Sequence, residues 1–146
     1  MKFDPETIAS QLSRIDPRLR AILYEVDRYL STEGSQLTVT HLERSQFQQN
    51  AFYQDRIDNG FFVVIDGMKY YSEDHQVPTI SVHQTVPCRG ADVRSRDLPP
   101  PLREFIVSYV NKWWPYPGHH AALKHNVGLG DHIHIQVPTL KDIERR

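Results

Sequence analysis

The segment GDHIHIQVP (130–138) places His132 and His134 in alternation with Ile133 and Ile135. That alternation is the period of a β-strand, so both imidazoles should point to one face. Two titratable rings side by side suit a metal, a catalytic step, or an ordinary solvated strand face. An isolated H-x-H occurs on many solvated strands, so the pair needs partners before it signifies chemistry. The upstream segment SVHQTVPCRGADVRS (81–95) offers a histidine, a tight connection containing proline and glycine, and an aspartate opening a strand. His83, Asp92 and His134 together supply two imidazoles and a carboxylate. Zinc accepts both donor types, and three protein ligands leave the fourth position that a catalytic zinc requires. On spacing alone, one Zn2+ is a candidate cofactor beside the solvated-strand reading.

The rest of the composition narrows the classes of function. A chain of 146 residues with 39% apolar and 24% charged residues fits one domain with a real core. Its formal net charge of -1 gives no electrostatic case for nucleic acid or an anionic membrane. No apolar run approaches the ~20 residues of a membrane span. The first residues, MKFDPETIASQLSRIDP, carry charges and prolines where a signal peptide would be apolar. Synthesis and folding in a cytoplasm are therefore expected. The single cysteine, Cys88, allows no internal disulfide, which agrees with that compartment.

The elements that must position these residues are legible in outline, and no repeat or linker divides the chain. Asp16-Pro17 reads as a helix start, and Leu19, Ile22, Leu23, Val26, Tyr29 and Leu30 recur at helical spacing until Gly34. QLTVTHL (36–42) reads as a strand. A second helix is expected over Ser45 to Arg56, with Phe47, Ala51 and Phe52 as its buried stripe. FFVVID (61–66) is expected to be loop or short helix, followed by irregular chain through Val77-Pro78. GADVRS (90–95) reads as a strand, and LREFIVSYVNKWW (102–114) as a third helix stopped by Pro115 and Pro117. Residues 121–126 and 132–138 read as two strands joined as a hairpin by VGLGD (127–131). Helices followed by a small antiparallel sheet predict an α+β domain.

With these motifs in place the chain resembles the M15 zinc peptidases, which include D-Ala-D-Ala carboxypeptidases and phage endolysin peptidases. SVHQTVPCRGADV (81–93) resembles the family signature S-x-H-x-x-G-x-A-x-D, and GDHIHIQV resembles its C-terminal H-x-H element. LTVTHLERSQFQQNAFY (37–53) resembles the entry segment, a strand leading to an arginine and a glutamine-bearing helix. Hedgehog signalling domains share that metal-site scaffold. The resemblance covers roughly residues 36 to 138. It implies that His83, Asp92 and His134 bind zinc, and that His132 faces the metal and stabilises a developing oxyanion. It implies Asp131 as general base, where many members have glutamate, Arg44 as the holder of a substrate carboxylate or carbonyl, and Ser81 as a supporting or substrate contact.

The chain also departs from the pattern. Two residues are inserted within QTVP (84–87), and Cys88 falls where the signature glycine would be. The ligands converge if the insertion bulges outward, which Pro87 favours. Strict alternation puts Asp131 on the face opposite His132 and His134, so its role as base requires a kink at Gly130. Blander alternatives stand beside these: Asp131 as a turn residue, Arg44 in an ion pair with Glu43, Cys88 as a buried filler. For His119 and His120 the expectation is loop, and for Trp113, Trp114 and Tyr116 it is core and cap packing.

The resemblance implies a zinc metallopeptidase acting on the peptidoglycan stem peptide, at L-Ala-D-Glu or at D-Ala-D-Ala. The small size fits a phage or prophage lysis enzyme that reaches the cell wall after release, with a monomer favoured. The alternative is a zinc-stabilised binding or virion structural module without catalysis. A third reading is a peptidase for a non-wall dipeptide.

Overall fold

The structure is a computed structural model that describes residues 1–126 and 131–139. A short strand, β1 (Lys2–Phe3), precedes a 3-10 helix over Glu6–Arg14 and then helix α1 (Pro17–Thr32). The Asp16 side chain caps α1 by accepting from the Arg18 N–H, and Pro17 occupies the first turn, where its missing N–H costs nothing. Leu19, Ile22, Leu23, Val26 and Leu30 form the buried stripe, as the spacing predicts. The helix stops at Gly34, whose φ of 72° continues the chain in the left-handed region. The amides of Gly34 and Ser35 then return to the carbonyls of Ser31 and Leu30.

After β2 (Thr38–His41) the expected second helix is broken in two, α2 (Gln46–Phe52) and α3 (Gln54–Asp58). Its expected stripe is also wrong, because Phe47 is 82% exposed and the side chain buried on α2 is Gln49. A polar residue is buried there because Gln49 accepts from Arg44 and donates to the Thr79 carbonyl. The stretch expected to be loop or short helix is a hairpin, β3 (Phe62–Ile65) with β4 (Met68–Tyr71). Its turn, Asp66-Gly67, has φ of 52° and 78°, the backbone of a two-residue hairpin loop that the Asp-Gly pair favours.

The remaining elements are β5 (Gly90–Arg94), α4 (Pro100–Trp113), β6 (Ala122–Asn126) and β7 (Asp131–Gln136). The connection at 127–130 between the last two lies outside the described residues, as does the expected kink at Gly130. Five strands form one sheet in the order β1-β2-β5-β7-β6, parallel only at β1–β2. The fold is α+β. Ala91, Val93, Ile133 and Ile135 line one face of the sheet and join the side chains of α1 and α4 in a single core. Residues one step along each strand, including Asp92, His132 and His134, point to the other face. Trp113, expected in the core, is mostly exposed, whereas Trp114 and Tyr116 pack against the core. No helix among the described residues is long and apolar enough to cross a membrane.

Leu23 is fully buried at the centre of the α1 stripe. Leu23→Ala should therefore lower unfolding stability by about 2–5 kcal/mol, measured by chemical denaturation.

Candidate metal centre

Register assembles the site. Across β5 and β7, Asp92 pairs with His134 and Arg94 with His132. Across β6 and β7, His125 pairs with His132. Directly paired residues share a face, so Asp92, His134, His132 and His125 stand together. A β-bulge between Val39 and His41 shifts the β2 register so that His41 pairs with Asp92. Without that extra residue, His41 would fall one step further along, on the apolar face.

His83 arrives from outside the sheet, on a single 3-10 turn over Val82–Gln84. Ser81 caps this turn: its hydroxyl accepts from the His83 N–H, and its own N–H donates to the Gln84 side chain. Gly90 lets the turn lie flat on β5, since a Cβ there would stand 2.4 Å from Val82 Cγ2. The QTVP stretch (84–87) bulges outward. The Arg89 N–H closes the loop on the Val82 carbonyl, and Val86 at its tip is fully solvated.

His83, Asp92 and His134 converge so that one ligand atom from each lies within 4.8 Å of the others. This group can hold a metal ion. His83 Nε2 is 3.3 Å from Asp92 Oδ2, and His134 Nδ1 is 2.8 Å from Asp92 Oδ1. Tetrahedral bonds of ~2.0–2.1 Å would place ligand atoms about 3.3–3.4 Å apart, so the His83–Asp92 spacing matches a bound zinc and the His134–Asp92 pair would have to open slightly. The orientation of each ring is fixed from behind. His83 Nδ1 donates to the Leu42 carbonyl at 2.7 Å, which turns Nε2 toward Asp92. His134 Nε2 lies 3.0 Å from Gln136 Oε1 and donates to it, which directs Nδ1 inward.

Burial pushes the Asp92 carboxyl up, but hydrogen bonds with His132, His134 and His83 outweigh it and hold the group far below the usual carboxylate range. Asp92 is thus an anion with little access to water. His132 Nε2 stands 3.4 Å from Asp92 Oδ1, beside the three candidate ligands. His41 Nδ1 is 3.8 Å from Asp92 Oδ2, and burial lowers its pKa. His125 stands edge-on to both strand histidines, with ring centroids 5.2 Å from His132 and 6.0 Å from His134; burial also lowers its pKa.

Arg44 lies at the same cavity as His83, His132 and His134, a space of about 230 Å³ that Ser81 also lines. It pairs with Gln49 at 2.8 Å and stacks over Phe52 at 4.6 Å. Glu43, the rival partner, is taken by Arg14 instead. Burial pulls the Arg44 pKa down, against the attraction of Asp92. Asp131 is exposed and lines an adjoining cavity with His41, Asp92 and His132, rather than the one that holds His83. Cys88 is buried under the site, where its thiol contacts the Leu42 and Gly90 carbonyls. Burial raises its pKa to about 11, so it stays protonated and outside the ligand group.

The sequence motifs pass over His41, His125, Gln49 and Gln136. His125 has a local signal: once the hairpin pairs Asn126 with Asp131, His125 must oppose His132. No protein-family model, curated protein or solved structure matches this chain.

His83→Ala, Asp92→Ala or His134→Ala should each abolish stoichiometric metal binding, read as metal content after reconstitution. Cys88→Ala should retain full content. Gln136→Ala should weaken metal affinity by roughly 10–100-fold in a competition titration, because His134 loses its orienting acceptor.

Proposed function

We propose that this protein is a zinc-dependent metallopeptidase that cleaves peptide bonds in peptidoglycan stem peptides, of the kind the M15 resemblance implies. The observation that carries this reading is the convergence of His83, Asp92 and His134, with His132 beside them and Arg44 at the same cavity. Zinc, when bound, supplies Lewis acidity and an acidified water. Zinc also suits the mixed imidazole and carboxylate set.

The chain's own residues supply the rest. Arg44 presents a planar guanidinium that matches a carboxylate or carbonyl of the peptide. Gln49 and Phe52 hold it from behind. His132 offers a ring N–H to the oxygen on which negative charge develops. Asp131 takes a proton on the water side and returns it to the leaving amine. Ser81 keeps the His83 turn in place and offers its hydroxyl at the cavity wall. A lysis enzyme of phage or prophage origin, acting at the wall after release, is the setting this reading implies.

One observation favours the second reading, a zinc-stabilised binding or virion structural module. Asp131 is exposed and outside the cavity of the ligands, so the base is the least secured part of the machinery. Both readings are decided on one zinc-loaded sample incubated with purified peptidoglycan, with released ends identified by mass spectrometry. The peptidase should generate new amino termini at L-Ala-D-Glu or D-Ala-D-Ala. Asp131→Ala should keep its zinc and lose most turnover. Zinc binding and metal-raised thermal stability without cleavage would establish the binding module instead.

A further inference from the structure

A second cavity, of about 350 Å³, adjoins the ligand cavity and shares Asp92 and His132 with it. Arg94, Arg96 and Arg103 line it, and Arg44 does not. The three guanidinium groups differ in what they hold. Arg94 is committed to Asp4 and, at 3.5 Å, to Asp97. Arg96 is solvated, and its nearest acid is Asp97 at 4.0 Å. Arg103 is half-buried on the first turns of α4, and its Nε donates to the Leu98 carbonyl at 2.8 Å. One terminal nitrogen donates to the Arg96 carbonyl at 3.2 Å. Carbonyls fix the direction of the fork but do not cancel its charge. Among the described residues, no carboxylate pairs with Arg103.

The acids of this cavity do not cancel that charge either. Asp92 is engaged by His83, His132 and His134, and Asp131 is exposed. A divalent cation held by His83, Asp92 and His134 would make this end of the cleft more positive still. The two cavities meet at Asp92 and His132, with Arg44 on one side and Arg103 with Arg96 on the other.

We propose that the Arg96–Arg103 cavity is a second anion subsite, so that the cleft takes an acidic peptide with a carboxylate on each side of the metal. The inference rests on reading the site as a peptidase, and of the two scissile bonds it selects D-Ala-D-Ala, the one that lies between the D-Glu carboxylate and the terminal carboxylate. Arg44 and Arg103 then set the spacing between the two carboxylates, and Arg94, neutralised by Asp4 and Asp97, serves as the wall.

Three synthetic peptides test this: L-Ala-D-Glu-L-Lys-D-Ala-D-Ala, its D-Glu α-carboxamide, and its C-terminal amide. Amidation removes a charge and nearly preserves shape. For the zinc-loaded protein, each amidation should lower kcat/KM by roughly tenfold. Arg103→Gln should abolish discrimination at one of the two carboxylates, and Arg44→Gln at the other. Arg103→Lys should keep most of it, and Arg96→Gln, on a solvated side chain, should weaken it without cost to folding. The subsite is overturned if Arg103→Gln leaves both discriminations intact, or lowers the rate on all three peptides by one factor. If the protein cleaves none of them, the peptidase reading fails separately. Calorimetric binding of the same three peptides then decides the subsite by the same comparison.

Discussion

Asp92 is a carboxylate removed from water on the middle strand of a five-stranded sheet. An ionised carboxylate so placed is costly unless it is paired and hydrogen-bonded on most of its lone pairs. His134 and His132 approach one of its oxygens, and His83 and His41 approach the other. Each of these rings comes from a different part of the chain or a different step along β7. The carboxylate therefore sets a demand that several segments must meet together. A cation at the same point would satisfy the demand more fully than imidazoles alone, which is why this cluster can hold a metal ion.

The sheet separates that demand from the hydrophobic core. Alternation along β5 and β7 sends Ala91, Val93, Ile133 and Ile135 to the helices, and Asp92, His132 and His134 to the cleft. The apolar faces of α1 and α4 thus stabilise the strands from the side opposite the metal-ligand candidates. β5 is held by β2 on one side and β7 on the other, so Asp92 cannot shift without breaking two ladders. The surrounding polar groups are equally constrained. Leu42 O and Gln136 aim two rings, Ser81 caps a third-party turn onto the sheet, and Gln49 steadies Arg44. Such support holds donors in position before any ligand arrives.

Charge is arranged around the centre in two groups. Arg44 is partly desolvated against Phe52, and Arg103 is directed by two carbonyls. Among the described residues, neither guanidinium has a carboxylate in salt-bridge contact. The two thus bracket the cleft with unbridged guanidinium groups on a chain whose formal net charge is -1, an arrangement set by folding rather than by composition.

Much of this was legible in the linear chain because it depends on near neighbours. The strand period of HIHI puts two histidines on one face, the Asp16-Pro17 start and the stripe of α1 follow from helical spacing, and the M15-like motifs name His83, Asp92 and His134 together. The Asp66-Gly67 turn was also local, yet the apolar run before it has no period that separates helix from strand. Other features were decided only by tertiary structure. His41 joins the cluster through a bulge in β2, His125 through the register of β6 on β7, and Gln49 is buried because Arg44 and the Thr79 carbonyl meet it there. The physical reason is the same in each case. Periodicity and capping are set by residues a few positions apart, whereas register, bulges and buried polar pairs are set by hydrogen bonds between segments that meet only when the chain has folded.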